Sequence, residues 1–126
     1  MPSRGSQLHD LIRQGLPFDF LDQLASLLRM ERKVLCESIC LSPTTLARRA
    51  KAGRLTCAES DRLYSLILAL HAAYELFEGD AEAVKRWMTV PVRGLGSKAP
   101  LEMLGTRVEA QAVIDLLGRL ENGVAV

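Results

Sequence analysis

VLCESICLSPTTLARRAKAGRL, residues 34–55, is the stretch on which the reading of this chain turns. Val34, Leu35, Cys36 and Ile39 give one short helix an apolar face, because residues three and four apart share a side. LSPTT then interrupts it. Ser42 has the side chain that accepts a backbone N–H at a helix start, and Pro43 suits the first helical position. A second short helix is expected over Pro43 to Ala52, closed by Gly53, a residue suited to the left-handed cap. Two short helices across a tight turn have the layout of a helix-turn-helix.

Charge supports that layout. Arg48, Arg49, Lys51 and Arg54 all fall between Glu37 and Glu59, an interval with no acidic residue. A phosphate backbone would meet an uncontested positive surface there. Thr44 and Thr45, at the N-terminal end of the second helix, are placed to touch base edges, and Arg48 can grip guanine with two hydrogen bonds. Leu46 then faces inward on Leu35 and Ile39. The candidate DNA contacts are Ser42, Thr44, Thr45, Arg48, Arg49, Lys51 and Arg54, weighed against an ordinary solvated basic helix.

Upstream, Leu8, Leu11, Ile12 and Leu16 make a short first helix punctuated by Gly15 to Pro17. Phe18, Leu21, Leu24, Ala25 and Leu28 make a second, with Asp19 and Asp22 near the positive end of its dipole. Downstream, Thr56 and Glu59 form a capping box that launches a long helix to about Glu78. Gly79 ends it, and Asp80 caps a helix over Ala81 to Thr89 that buries Val84, Trp87 and Met88. An irregular stretch follows from Val90 to Ala99, with a helical turn after Pro100. Thr106 and Glu109 start a last helix through Val108, Val113 and Leu117 that Asn122 and Gly123 stop. No segment alternates as a strand does.

The chain has 126 residues, enough for one compact domain or a small module with an appendage. An apolar content of 48%, mostly Leu and Ala, with aromatic residues at only 5% of the chain, favours an all-α fold. The net charge of +1 conceals an asymmetry. Residues 1–56 hold nine basic against five acidic groups, and residues 57–126 hold seven against ten. The two halves are therefore expected to meet different partners.

Cys36, Cys40 and Cys57 make no CxxC pair and suggest buried free thiols, not a metal site or a disulfide framework. Reduced cysteines fit the cytoplasm, and no secretory signal opens the chain. LYSLILALHAAYELF, residues 63–77, carries His71 and Glu75 and is too short to cross a bilayer. GLGSK, residues 94–98, resembles a phosphate loop but fails as one. Ser97 precedes Lys98, the glycines are one residue apart, and no strand leads in. His9 and His71 lie on separate helices, His71 reading as a core or boundary residue, and no catalytic set or cofactor is expected.

The order of RWM with Trp87, then Pro91, LGSKAPLEML, Thr106 and VIDLLGRLENGV, following SPTTLARRAKAGRLT, resembles the Xre/ParS-type antitoxins that accompany RES-domain toxins in bacterial type II pairs. The likeness covers Phe18 to the end. It implies an Xre-like helix-turn-helix module followed by a small helical toxin-binding module. It further implies a homodimer that blocks a nicotinamide-dinucleotide-degrading toxin and represses its own promoter, with any enzymatic activity in the partner. Two departures stand out: many helix-turn-helix turns have glycine where Cys40 stands, and an aliphatic residue where Arg49 stands.

On this reading residues 1–78 bind DNA and dimerise, with the long helix as the seam, and residues 79–126 bind the toxin. The candidate toxin contacts are Pro91, Val92, Arg93, Leu95, Lys98, Gly123, Val124 and Val126, while Leu101 and Leu104 only pack. The rival reading is a stand-alone dimeric helix-turn-helix regulator. A third is a protein-binding adaptor without DNA affinity.

Overall fold

Ser42, extended at φ −73° and ψ 158°, accepts a hydrogen bond from the Thr45 amide at 3.2 Å, and the helix Pro43–Ala52 begins there. It ends at Gly53, left-handed at φ 78°, whose amide bonds the Arg49 carbonyl. The computed structural model describes residues 10–123. Its helices are α1 (residues 10–14), α2 (Asp19–Leu28), α3 (Arg32–Ser38), α4 (Pro43–Ala52), α5 (Cys57–Leu76), α6 (Ala81–Thr89) and α7 (Arg107–Glu121). Two 3₁₀ turns, Arg93–Leu95 and Pro100–Met103, separate α6 from α7. Among the described residues the only extended pairings are isolated antiparallel bridges, Pro17 with Arg54 and Val92 with Lys98. The all-α expectation holds. Expected helix residues before Asp10 lie outside the described residues.

The packing divides the chain into two units that meet within α5, between Leu63 and Tyr64. The division expected from sequence lay at Gly79. Gly79, at φ 82°, stands in the turn that follows α5.

In the first unit α2 packs on α3. Leu21, Leu28, Leu35, Ile39, Leu41, Leu55 and Leu63 are buried. Each such side chain contributes roughly 1.5–3 kcal/mol by leaving water. The connection from α1 to α2 is tied to the one from α4 to α5. Leu55 N–H donates to the Leu16 carbonyl at 3.0 Å, Phe18 N–H to the Gly53 carbonyl at 3.0 Å, and Leu16 N–H to the buried Ser60 hydroxyl at 2.8 Å. Gly15 makes this approach possible. It sits at φ 95°, and a Cβ there would lie 2.1 Å from the Leu55 carbonyl oxygen. The end of α2 carried no sequence signal, because Arg29 and not a glycine takes the left-handed cap at φ 53°.

In the second unit α6 packs on the second 3₁₀ turn, and α7 packs on both turns. Leu66, Leu70, Val84, Met88, Leu101, Leu104, Val113 and Leu117 are buried. The Asp80 carboxylate caps α6 by accepting from Glu82 and Ala83 amides at 3.1 and 3.2 Å. The Thr106 hydroxyl caps α7 by accepting from the Glu109 amide at 3.2 Å.

Several burial expectations are corrected. Trp87 is half-buried, Val34 is exposed, and Val108 is 81% exposed because it lies on the outer side of the first turn of α7. His71 is exposed, 3.6 Å from Glu75 one turn on. Of the thiols, Cys36 is buried, but Cys40 and Cys57 face solvent.

Candidate nucleic-acid interface and protein-binding unit

The turn between α3 and α4 is fixed from three sides. Cys40 N–H donates to the Glu37 carbonyl at 3.1 Å, and Leu41 N–H to the Cys36 carbonyl at 2.8 Å, closing α3. From α5 the Arg62 guanidinium donates from Nε to the Ile39 carbonyl at 2.7 Å. Ile39 and Leu41 bury their side chains below the turn. Cys40 takes φ 61°, so the position where many such turns have glycine does require the left-handed region.

Held this way, α4 buries no residue completely. Thr45, Leu46 and Arg49 are half-buried, and Pro43, Thr44, Arg48 and Lys51 face solvent. Arg54, just beyond the helix, is also exposed, with Nη1 3.5 Å from the Gln14 carbonyl. Ser42 is occupied at the helix start, donating from its hydroxyl to Thr45 Oγ1 at 3.0 Å while accepting the Thr45 amide. Its structural role is thus the N-cap, whereas Thr44 and Arg48 remain open to a ligand.

Arg49 is placed differently from its neighbours. Its Nε donates to Glu59 Oε1 at 2.7 Å, with side chains 22% and 7% exposed. The same carboxylate accepts the Thr56 amide at 2.9 Å, while Thr56 Oγ1 accepts the Glu59 amide at 3.2 Å. The Thr56 capping box is therefore also the anchor for α4. Burial alone raises the pKa of Glu59, but hydrogen bonds from Arg49 and the Thr56 amide outweigh it and hold the carboxyl below its ordinary value. The Glu59 hydrogen bond in turn raises the pKa of Arg49. Of the candidate DNA contacts, Arg49 is thus the one whose Nε is engaged within the fold, by Glu59. Its position, aliphatic in many such helices, faces inward here too.

In the second unit GLGSK forms a closed loop. Val92 N–H donates to the Lys98 carbonyl at 3.0 Å, and Ser97 and Leu95 amides donate to the Val92 carbonyl at 3.0 Å each. Gly96 N–H donates to the Arg93 carbonyl at 3.1 Å. The amides of Leu95, Gly96 and Ser97 are thus turned onto the loop's own carbonyls, and no cradle for a phosphate is formed from them. Gly94 lies against α7, where an added Cβ would sit 3.1 Å from Leu116 Cδ1.

Pro91, Arg93, Lys98 and Gly123 are exposed and Val92 is half-buried. Leu95 was expected on the surface; at 7% exposure it pins the loop inward. Val124 and Val126 lie outside the described residues. Beside the loop runs a groove of about 400 Å³ lined by Phe77, Ala83, Arg86, Trp87, Val90, Pro91 and Val92. The Phe77 and Trp87 rings stand 6.5 Å apart at 53°. Phe77, Trp87 and Val90 were missed as surface groups, although Val90-Pro91-Val92 directly after a helix end was a signal that apolar residues line this edge.

Among the described residues no His, Cys, Asp and Glu cluster could hold a metal ion, and no helix is long and apolar enough to cross a membrane.

An exposed basic helix behind a pinned turn, followed by a helical unit with an apolar groove, defines a helix-turn-helix protein with a second, protein-binding part. Comparison with known families agrees. Residues 7–67 match the antitoxin Xre-like helix-turn-helix domain, and residues 72–123 match the antitoxin Xre/MbcA/ParS C-terminal toxin-binding domain. The chain is 38% identical over 125 residues to an Antitoxin Xre of Yersinia enterocolitica, covering 97% of this chain and 83% of that protein. It is 30% identical over 123 residues to an Antitoxin Xre of Photorhabdus laumondii, with the same coverage. The chain belongs to the Xre antitoxin family and carries that family's DNA-binding and toxin-binding domains.

Proposed function

We propose that this chain neutralises a RES-domain toxin that degrades NAD, and that as a homodimer it represses the promoter of its own operon. The observation that carries the reading is that one chain joins an unburied basic α4 to a unit matching the toxin-binding domain. Lys51 and Arg54 supply phosphate contacts, and Thr44 and Arg48 face base edges, beside Ser42 and Thr45 at the helix start. Pro91, Val92, Arg93, Lys98 and Gly123, with Val124 and Val126, cover the toxin's active-site entrance, and Leu95 holds their loop in shape. Catalysis in the pair belongs to the toxin, and both partners are cytoplasmic.

A dimer suits the short α4, since two copies read two half-sites. The long helix was the expected seam, but α5 buries Leu63, Leu66, Ala69, Leu70 and Ala73 and leaves Leu68 as its large exposed apolar side chain. In the first unit Phe20 and the 73% exposed Leu27 stand on α2, seven residues apart and so on one face. We place the dimer contact there. Sedimentation of Leu27→Lys and Leu68→Lys separates the two, with only Leu27→Lys expected to give monomer.

Co-expression with a RES-domain protein from the same operon tests the whole. Growth restored by the chain, together with retardation of the upstream DNA that Arg48→Ala weakens, is the expected outcome. DNA retardation without rescue would instead favour the stand-alone regulator.

A further inference from the structure

We infer that the Trp87 groove receives a large apolar side chain of the toxin, carried beside a carboxylate that pairs with Arg86. The inference rests on the toxin-binding reading above and adds a site to it. The groove is walled by Phe77, Trp87, Val90 and Pro91, with Arg86 as the charged residue among its lining. About 400 Å³ suffices for one aromatic or branched aliphatic side chain with some of its flanking chain. Val90 is 49% exposed and Pro91 is exposed, so apolar surface continues from the groove to Val92 and the 92–98 loop. Half-buried aromatic walls around such an opening are where binding energy concentrates in protein interfaces.

Charge and position choose the occupant. The Arg86 guanidinium has no ion-pair partner among the described residues, so an incoming carboxylate would complete it. A nucleic acid presents phosphate and sugar, which an apolar groove does not match. A concave patch is not complementary to itself, which disfavours a two-fold contact with a second copy. The entire lining, Phe77 to Val92, lies within the residues that match the toxin-binding domain.

Trp87 is the chain's single tryptophan, so it reports on the groove without interference. The full-length chain labelled with 5-fluorotryptophan is titrated with the RES-domain toxin of its operon while the ¹⁹F spectrum is followed. The resonance is expected to shift at stoichiometric toxin. Val90→Asp and Arg86→Glu are expected to weaken toxin binding by at least about tenfold with an unchanged melting temperature, since both side chains lie at the surface. Toxin binding with an unmoved resonance and unaffected variants would overturn the groove assignment while leaving the antitoxin reading intact. A resonance that moves with the chain's own concentration, without toxin, would assign the groove to a second copy and overturn it as well. No toxin binding by the wild-type chain would overturn the function proposed above and this inference with it.

Discussion

Arg49 Nε and Glu59 Oε1 meet at 2.7 Å, joining the C-terminal half of α4 to the first turn of α5 through the residue that caps α5. One carboxylate thereby fixes both the start of a helix and the seating of its neighbour. Arg49→Ala is expected to lower thermal stability, whereas Arg48→Ala lowers DNA affinity and leaves stability within about 0.5 kcal/mol, as exposed substitutions do. Melting curves and gel retardation of both variants separate the roles.

The same pair gives stability a pH dependence. The Glu59 carboxyl is held below its ordinary value of 4.5 in the folded chain. Its contribution is therefore complete above the unfolded value and is lost as pH falls through the folded one. Stability to urea between pH 6 and pH 3 is expected to fall more steeply for wild type than for Glu59→Gln. Parallel curves would show that the pair contributes nothing to the pH dependence.

Phosphate contacts release counterions, so their number is read from salt dependence. Replacing Lys51 by Ala is expected to reduce the slope of log K against log salt by about 0.9 for one lost contact on duplex DNA. The same change at Arg49 is expected to alter the slope little, because its Nε is committed to Glu59.

Much of this was legible in the sequence. Ser42-Pro43, Thr56 with Glu59, Asp80, and Thr106 with Glu109 are local signals whose bonds span two or three residues, and the helices begin where they stand. Long-range facts were less accessible. That Arg49 turns inward depends on Glu59 ten residues away, and that Leu95 is buried depends on α7 packing against its turn. Trp87 was placed in the core on hydrophobicity, yet its position on α6 leaves part of the ring on a groove that Phe77, ten residues before it, and the following Val90–Val92 segment help to wall. The division inside α5 carried no mark, because a helix shared between two cores looks continuous in sequence.

The three cysteines should differ sharply in reactivity. Cys40 and Cys57 are exposed, while burial pushes the Cys36 thiol pKa up. Two thiols are expected to react with a disulfide reagent in the native protein, and the third only on unfolding. Cys40→Gly is expected to stabilise the fold by about 0.5 kcal/mol, relieving φ 61° against greater freedom in the unfolded chain.

Two left-handed glycines offer a contrast in cause. Gly53 has open space where a methyl group would stand, so Gly53→Ala bears only the conformational penalty of about 1 kcal/mol. At Gly15 the Cβ would lie 2.1 Å from the Leu55 carbonyl oxygen, and Gly15→Ala must also break the bridge between the two connections. Denaturant unfolding is expected to show a loss for Gly15→Ala exceeding that for Gly53→Ala by about 2 kcal/mol or more.

The central claim, that a DNA-binding unit and a toxin-neutralising unit act separately in one chain, is tested most directly by NAD hydrolysis. The RES-domain toxin proposed as its partner is assayed with increasing amounts of wild-type chain and of an Arg48→Ala, Lys51→Ala double variant. The expected result is stoichiometric inhibition by both, although only the wild type binds the upstream DNA. Undiminished NAD hydrolysis in the presence of excess wild-type chain would contradict the account.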